Sequence, residues 1–398
     1  MISPKEAQRI ITRHAAWQPL CRVAPVSALG KVLAEDIYAS SDSPDFDKSS
    51  MDGFAVSSGD TARAPGTLRI VDDIFAGQCP RQRLKKGECA RIATGAMLPE
   101  GANSVVMKEN TREQGDGGVE IFRTVSPHEN VYRKATDCRK GDLLLKKGSV
   151  VAMAGVALLA SQGKKSIFVF QAPRVAVLTT GDEIVEPGRK KKKEQIWNAS
   201  ASMLLAACRA MGIDTDYLGI ARDDKAALSK KIKKGLTYDF LIITGAVSVG
   251  ERDFIPEVLR RVGVSILFHK VAVRPGKPLL FGIRGKQLVF GLPGNPVSSM
   301  LGFILFVRPA LQKAMGRAYS FCMGKGILAK DVYNRSARES YLPAQLKVKK
   351  GKFLVKPLAY SGSADLLSVV RADCFFILGP KQVRTLAGSA VKFLKVSG

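Results

Sequence analysis

The sequence VAVLTTGDE at residues 175–183 joins an apolar run to a turn of threonine, glycine and acidic residues. A short, continuous apolar run that ends in such a turn is typical of a buried parallel strand. Four later runs end in comparable polar or glycine-containing turns: Tyr217–Ala221, Phe240–Ile243, Ile266–Val273 and Leu288–Phe290. The combination of an apolar run and a polar or glycine-containing turn therefore occurs five times along the chain.

Helical stretches separate these runs. The pattern predicts helices at Ala199–Met211 with Asn198 as N-cap, Lys225–Lys234, Phe254–Val262 and Val297–Met315. Alternating strands and helices with short links predict a doubly wound, mostly parallel sheet, which binds ligands at the carboxyl ends of its strands.

The sequence on either side differs in character. Residues 1–40 predict a helix at Pro4–Ala16 and a second short helix around Val26–Ile37. Residues 46–134 and the tail after Gly316 contain short apolar runs broken by Gly, Pro and Asp, which predict small β domains. The expected fold class is α/β multidomain, with a β insert and a C-terminal β barrel.

Several strand ends carry residues suited to a phosphorylated ligand. Glycines let backbone N–H groups approach phosphate, and the helix N-termini that follow favour negative charge. Glu183, Asp223 and Asp253 could hold Mg²⁺ bridging phosphate oxygens, and Arg274 and Lys277 could bind an oxyanion. Each feature alone has a plainer interpretation as a turn or, for Asp223, a helix cap, but five such loops at one edge favour a site.

Composition narrows the class of protein. Sixty-two basic against 35 acidic residues give a net charge of +27, which favours anionic partners. The basic clusters lack interleaved aromatic residues, so a dedicated nucleic-acid site is not expected. Seven cysteines and three histidines are scattered without metal-ligand spacing. No apolar run is long enough for a membrane span and no signal peptide is evident, so we expect a cytoplasmic protein.

Motifs along nearly the whole chain resemble one family in their order. They are SMDGFAV at 50–56, RIATGAMLP at 91–99, TGDE at 180–183, VSVG at 247–250, PGKP at 275–278 and GLPGNPVS at 291–298. Together they are similar to the successive signatures of the molybdopterin molybdenumtransferases, the bacterial counterparts of the C-terminal domain of gephyrin.

The resemblance implies a domain organisation and a reaction. It implies an elongated N-terminal domain from 1–45 and 135–172, a β insert at 46–134, a molybdopterin-binding α/β domain at 173–318 and a C-terminal barrel at 319–398. It also implies a homodimer that converts adenylylated molybdopterin and molybdate into molybdenum cofactor and AMP with Mg²⁺. A molybdopterin adenylyltransferase and acceptor molybdoenzymes are the further partners that it implies.

The resemblance also assigns roles to residues of this chain. Catalytic positions are Asp52, Thr94, Glu183, Asp223 and Lys270, with Asp52 and Thr94 reaching the partner subunit's cleft. Metal positions are Asp253 and Glu183. Substrate-binding positions are Gly245, Ser248, Gly250, Gly294, Asn295, Arg274, Lys277, Pro278, Arg338 and Ser363. Of these, Arg274, Lys277, Arg338 and Ser363 would form the molybdate pocket between the α/β domain and the barrel.

The chain departs from the family pattern at several positions. Arg274 replaces the usual lysine, and Ala246 replaces the second glycine of a Gly-Gly pair. Ala135–Cys138 reads Ala-Thr-Asp-Cys where Ala-Gly-Glu-Asp is usual, so one acidic position is missing or shifted, and Pro343 stands where a second arginine is usual. Two other functions stay open at this point: adenylylation of molybdopterin, and a non-catalytic scaffold with a basic surface recruited to nucleic acid.

Overall fold

The computed structural model describes residues 1–245, 254–318, 323–349 and 351–396. Contact density divides the chain into two compact units, one of residues 1–34, 148–152 and 166–398 and the other of residues 35–147 and 153–165. Among the described residues, no helix has both the length and the apolar character needed to cross a membrane. The four-part division implied by the family resemblance stays a prediction.

The smaller unit is built on a six-stranded sheet with apolar clusters on both faces. In spatial order its strands are Ser104–Met107, Gly53–Val56, Glu88–Ile92, Gly66–Ile74, Gly118–Ile121 and Thr111–Glu113. Its other elements are the strands Ile37–Tyr38, Lys48–Ser49, Val131–Tyr132 and Leu143–Leu145, the 3₁₀ turns Ser58–Thr61 and Lys108–Asn110, and the helix Met153–Ser161. Gly53 is required at its position, because a Cβ atom there would overlap the carbonyl oxygen of Val106 on the next strand.

The larger unit contains the predicted α/β sheet. In spatial order its strands are Thr215–Ala221, Val175–Thr180, Phe240–Gly245, Gln287–Pro293, Leu280–Arg284 and Ser265–Phe268. The first four are parallel to one another, and Leu280–Arg284 pairs antiparallel with both of its neighbours, Gln287–Pro293 and Ser265–Phe268. The doubly wound, mostly parallel sheet is therefore confirmed, with one antiparallel strand next to its edge.

Helices cover both faces of this sheet. Apolar residues of Ala199–Ala210 and of the continuous helical segment Pro296–Gly302, Phe303–Val307 (π-helical) and Arg308–Ala314 pack on one face. Lys225–Gly235 and Ile255–Arg261 pack on the other. Both layers are nearly solvent-free, which makes the strand ends rigid supports for the turns that follow them.

A closed five-stranded barrel follows the α/β domain. Its strands are Met323–Leu328, Glu339–Lys349, Lys352–Pro357, Cys374–Leu378 and Ala390–Lys395, and the pairing of Glu339–Lys349 with Cys374–Leu378 closes it. The predicted C-terminal barrel is confirmed. The two-residue strand Val273–Arg274 of the α/β domain pairs with Glu339 and Ser340, so the basic turn after it lies against the barrel.

The remaining elements of the larger unit are short. They are the helix Pro4–His14, the 3₁₀ turn Pro25–Ala28, the strand pairs Leu20–Val23 with Ile167–Phe170, Ile184–Val185 with Ile196–Trp197, and Val332–Tyr333 with Arg384–Thr385, and the helix Leu366–Val370.

Two sequence predictions are wrong in this unit. The helix expected around Val26–Ile37 is only one 3₁₀ turn, because Gly30 adopts a left-handed φ of 74° and its N–H donates to Val151 O. The strand expected at Ile266–Val273 leaves the sheet after Phe268. Its second half bonds with Ile2 instead, a partner that periodicity cannot identify.

Candidate active site

A cavity of about 530 Å³ opens at the carboxyl ends of the parallel strands. The ends of three strands and the turn after the fourth contribute its walls. Among the residues proposed from sequence, the structure brings Glu183, Asp223, Gly245, Pro278, Gly294 and Asn295 to this cavity. Turns that are up to 112 residues apart in the chain therefore meet at one edge of the sheet, as the strand order requires.

Three glycines allow the strand ends to approach one another. Gly181 and Gly245 have φ values of 138° and 129°, a region that side chains strongly disfavour. A Cβ atom on Gly245 would overlap both oxygens of Thr180 on the neighbouring strand, and one on Gly294 would lie 3.6 Å from the Gly245 Cα. The turns therefore present bare backbone to the cavity.

The two acids after the Thr215–Ala221 strand have different functions. Asp224 is the N-cap of helix Lys225–Gly235, since its Oδ1 accepts from the N–H groups of Ala226 at 2.7 Å and Ala227 at 3.1 Å. Asp223 lines the cavity instead, and its backbone N–H donates to Asp182 Oδ1 at 3.4 Å. The helix-cap interpretation of Asp223 is therefore wrong.

Glu183 is exposed at the mouth of the cavity, and its carboxylate folds back over Gly181. Together with Asp223 it supplies two carboxylates to the edge of the sheet. Among the described residues, no cluster of three or more Asp, Glu, His or Cys side chains could hold a metal by itself.

Asn198 holds the N-terminus of helix Ala199–Ala210 at the cavity, and the predicted cap is confirmed. Its Oδ1 accepts from Ala201 N at 3.1 Å, and its Nδ2 donates to Thr179 Oγ1 at 3.1 Å and Tyr217 OH at 2.7 Å. Burial, together with donation to Glu186, raises the pKa of Tyr217, so its hydroxyl stays protonated and structural. The free N–H groups of this helix start favour an anionic ligand.

A second cluster lies where the α/β domain meets the barrel. Arg338 donates from Nη1 to Val273 O at 2.9 Å, and Arg274 donates from Nη1 to Asn334 Oδ1 at 3.4 Å. Burial and the like charge of Arg274 lower the pKa of Arg338. Two guanidinium groups that repel each other in a partly desolvated place favour an anion between or beside them.

Asn295 connects the cavity to a loop of the C-terminal domain. Its Nδ2 donates to Ser363 Oγ at 2.7 Å, and Val297 N donates to Ser363 O at 3.1 Å. Ala364, the next residue of the same barrel loop, lines the cavity itself. The barrel loop is thus fixed on the turn that contains the Gly294 backbone.

The two lysines lie on either side of the turn that contains Arg274. Lys277 is exposed and Lys270 is half-buried, and Val271 N donates to Lys277 O at 3.0 Å to close the turn. Gly276, with φ of 102°, and Pro278 complete it, and Pro278 lines the cavity. Lys277 is therefore an exposed cation next to a residue that lines the cavity.

Three family models together match most of the chain. They are described as MoeA N-terminal region (domain I and II), at residues 2–163, probable molybdopterin binding domain, at 176–313, and MoeA C-terminal region (domain IV), at 325–396. The molybdopterin molybdenumtransferase of Staphylococcus aureus strain Mu50 is 34% identical over 383 residues, covering 95% of this chain and 91% of that protein. The chain belongs to the MoeA family of molybdopterin molybdenumtransferases.

Other relatives agree with this assignment. The molybdopterin molybdenumtransferase of Bacillus subtilis strain 168 is 37% identical over 369 residues, covering 89% of this chain and 85% of that protein. The crystal structure of the molybdopterin biosynthesis MoeA protein from Pyrococcus horikosii superimposes with a TM-score of 0.85 at 32% identity, covering all of both chains. The fold of the whole chain is therefore that of the MoeA family.

The family motif of the β insert forms a defined local structure in the smaller unit. Asp52 Oδ1 accepts from both Thr94 N at 2.8 Å and Thr94 Oγ1 at 2.9 Å, and both residues are exposed. These two hydrogen bonds lower the pKa of Asp52. The carboxylate bonds a residue 42 positions away, so Asp52 does more than form the turn before Gly53.

Some positions proposed from sequence lie outside the described residues. They are Ser248, Gly250 and Asp253, together with the substituted Ala246. The proposed main magnesium ligand is among them, so its role stays a prediction.

Sequence reasoning missed two aromatic residues at the site. Trp197 lines the cavity although 53% of its surface is exposed. Tyr360 lies near Arg274. Burial and the charge of Asp365 outweigh the opposite effect of Arg274 and raise the pKa of Tyr360 to about 12. Among the described residues, no partner hydrogen-bonds its buried hydroxyl. A signal existed only for Trp197, which is one of two tryptophans and directly precedes the predicted cap.

Proposed function

We propose that this chain inserts molybdenum into molybdopterin, using adenylylated molybdopterin and molybdate as substrates and releasing AMP. The observation that carries this proposal is the convergence of Gly181, Gly245, Gly294, Glu183 and Asp223 on one cavity, in a chain that belongs to the MoeA family. The cavity has the volume and the backbone donors that a pyrophosphate-bearing ligand needs.

The substrate's pyrophosphate would lie at the strand ends. Backbone N–H groups of the glycine turns, with Ser248 and Gly250, and the start of helix Ala199–Ala210 would receive its oxygens. Such groups are fixed before the substrate binds, so they stabilise the charge that develops on the leaving phosphate without reorganising. AMP would depart when water attacks the adenylyl phosphorus, which breaks the phosphoanhydride bond and leaves the terminal phosphate on molybdopterin.

Magnesium fits the chemistry of the residues present. Glu183 and Asp223 offer hard carboxylate oxygens at the cavity, and Asp253 would be a third ligand. Mg²⁺ prefers one or two carboxylates together with substrate phosphates, so a complete protein cage is not needed. When bound, the ion would neutralise charge on the phosphate oxygens.

Molybdate would bind beside the pyrophosphate, where the α/β domain meets the barrel. Arg274, Lys277 and Arg338 supply positive charge, and Ser363 supplies a hydroxyl fixed by Asn295. Lys270 adds charge near the same turn. The repulsion between the two guanidinium groups would be relieved by a doubly charged oxyanion, which is a reason for the site to select one.

Asp52 and Thr94 would complete the site of a partner subunit in a homodimer. This can be tested by mixing Asp52→Ala with Asp253→Ala, two variants that should each be inactive alone, under conditions that exchange subunits. If Asp52 acts across the dimer, half of the dimers contain one intact site and about a quarter of the activity returns. If it acts within its own subunit, mixing restores nothing.

The cellular setting follows from the same proposal. Every described cysteine is a free thiol, and four of them are buried, which suits a reducing cytoplasm. The net charge of +27 would steer the anionic substrates, and it would also favour docking of a molybdopterin adenylyltransferase and of acceptor molybdoenzymes with acidic surfaces.

The direct test is AMP release by the purified protein. Adenylylated molybdopterin, Mg²⁺ and molybdate should yield AMP and molybdenum cofactor, and omission of molybdate should abolish cofactor formation. A second reaction with ATP and unmodified molybdopterin tests the adenylyltransferase alternative. Adenylylated product in the second reaction and no AMP in the first would refute the proposal.

A further inference from the structure

Trp197 is exposed at a binding cavity but fixed in place. Its backbone is held in a two-residue parallel pair with Ile184–Val185, with Asn198 N donating to Val185 O at 2.8 Å. Its indole Nε1 donates to Arg189 O at 3.2 Å, so the ring is held as well as the backbone. Burial does not explain why the Trp197 side chain is held in place, because 53% of the residue surface remains exposed.

The surroundings of the ring suit an aromatic ligand that bears phosphate. Ile196 beside it is 55% exposed and lines the same cavity, which adds apolar surface. Lys191 Nζ lies 5.4 Å from the ring centroid, and it belongs to the run Arg189–Lys193, which contributes five positive charges to this loop. An indole ring with an attached cationic loop combines stacking with attraction for phosphate.

We infer that Trp197 is a stacking platform for one of the fused heteroaromatic rings of the substrate at this cavity. The inference rests on the proposed function, because adenylylated molybdopterin is a ligand with a pterin at one end and an adenine at the other. Trp197 is then a positioning residue that binds substrate, and the phosphates between the two rings extend toward the glycine turns. The flat indole accepts either ring, so the chemistry common to both is a planar bicyclic heteroaromatic.

Fluorescence can test this directly because the chain contains only two tryptophans. Trp17 does not line the cavity, and its ring contacts Phe170. The variant Trp17→Phe leaves Trp197 as the sole indole, and Trp197→Phe is the matched control with the reverse arrangement. Titration with adenylylated molybdopterin should quench the emission of the first variant and leave that of the second unchanged.

Two further titrants identify the ring. AMP alone and pterin alone are added to the Trp17→Phe protein, and equilibrium dialysis measures the binding of each independently. The probe whose ring stacks on Trp197 should quench emission at the concentration at which it binds. Binding of adenylylated molybdopterin without any change in Trp197 emission would overturn the inference.

Kinetics provide a second readout. Trp197→Ala should raise the KM for adenylylated molybdopterin by about 5- to 150-fold, the range expected for loss of one stacked ring, with little change in kcat. Trp197→Phe should recover most of the affinity because it keeps a flat ring. An unchanged KM in Trp197→Ala would overturn the inference while leaving the proposed function intact. Absence of AMP release by the parent protein, with quenching retained, would refute the function and leave the stacking platform.

Discussion

Replacing Gly245 with alanine should destabilise the α/β domain more than any ordinary substitution in a turn. The residue ends the Phe240–Gly245 strand with φ of 129°, and an added Cβ would overlap the carbonyl oxygen and hydroxyl of Thr180 and lie 3.0 Å from its carbonyl carbon. The carbonyl belongs to the neighbouring strand, so it cannot rotate away as a flexible side chain could.

Two costs are expected to add. A non-glycine residue in this backbone region costs on the order of 1–3 kcal/mol, and overpacking against fixed atoms costs a further 1–3 kcal/mol or so. Gly362→Ala is the matched control, because Gly362 has φ of 139° and open space around the position of its Cβ. It should show only the first cost, so the two variants should differ by about 1–3 kcal/mol.

The comparison can be made by urea unfolding in a Trp17→Phe background, where Trp197 reports on the α/β domain. Both glycines belong to the same compact unit, which makes the two midpoints comparable. The midpoint should fall for both variants and fall further for Gly245→Ala. Equal midpoints would refute the argument that close approach of the two strand ends requires this glycine.

Three other changes test the site. Asp253→Ala should abolish Mg²⁺-dependent AMP release by removing a metal ligand, and circular dichroism should show an unchanged fold; turnover at the parent rate would remove Asp253 from the metal site. Lys277→Ala should raise the molybdate concentration needed for half-maximal rate by about tenfold, the effect of losing one charge-assisted contact, whereas Lys392→Ala, an exposed lysine on a barrel strand, should not. Hydrogen bonds from Thr94 lower the pKa of Asp52, so this carboxylate stays charged as the pH falls. Thr94→Val removes one of these bonds and should move the acidic limb of the kcat/KM profile to higher pH. An acidic limb that does not move would show that Asp52 is not the group that sets it.

Local chemistry made the centre of the fold predictable from sequence. The strands Val175–Thr180 and Phe240–Gly245 are buried on both faces. A short, continuous apolar run that ends in a polar or glycine-containing turn is the pattern expected of such a strand. The cap at Asn198 was predictable because a side-chain oxygen before an apolar helix satisfies free N–H groups. Convergence of the turns then followed from the parallel strand order.

Other features depend on partners that are distant in the chain. The predicted strand Ile266–Val273 leaves the sheet after Phe268 because its second half bonds with Ile2, which is far away in the chain. Asp223 and Asp224 are adjacent acids, and only the residue at which the helix begins in the folded chain decides that Asp224 is the cap. Trp197 was not among the predicted site residues, because position at a cavity is a property of the folded chain.

Anomalous diffraction from crystals soaked with molybdate would show whether the strand-end turns and the barrel loop enclose one pyrophosphate-bearing ligand and one tetrahedral oxyanion side by side. We expect a single molybdenum peak within contact of Arg274, Lys277 and Ser363, next to the Gly294 turn. A well-occupied peak elsewhere in the chain, with none at these residues, would contradict it.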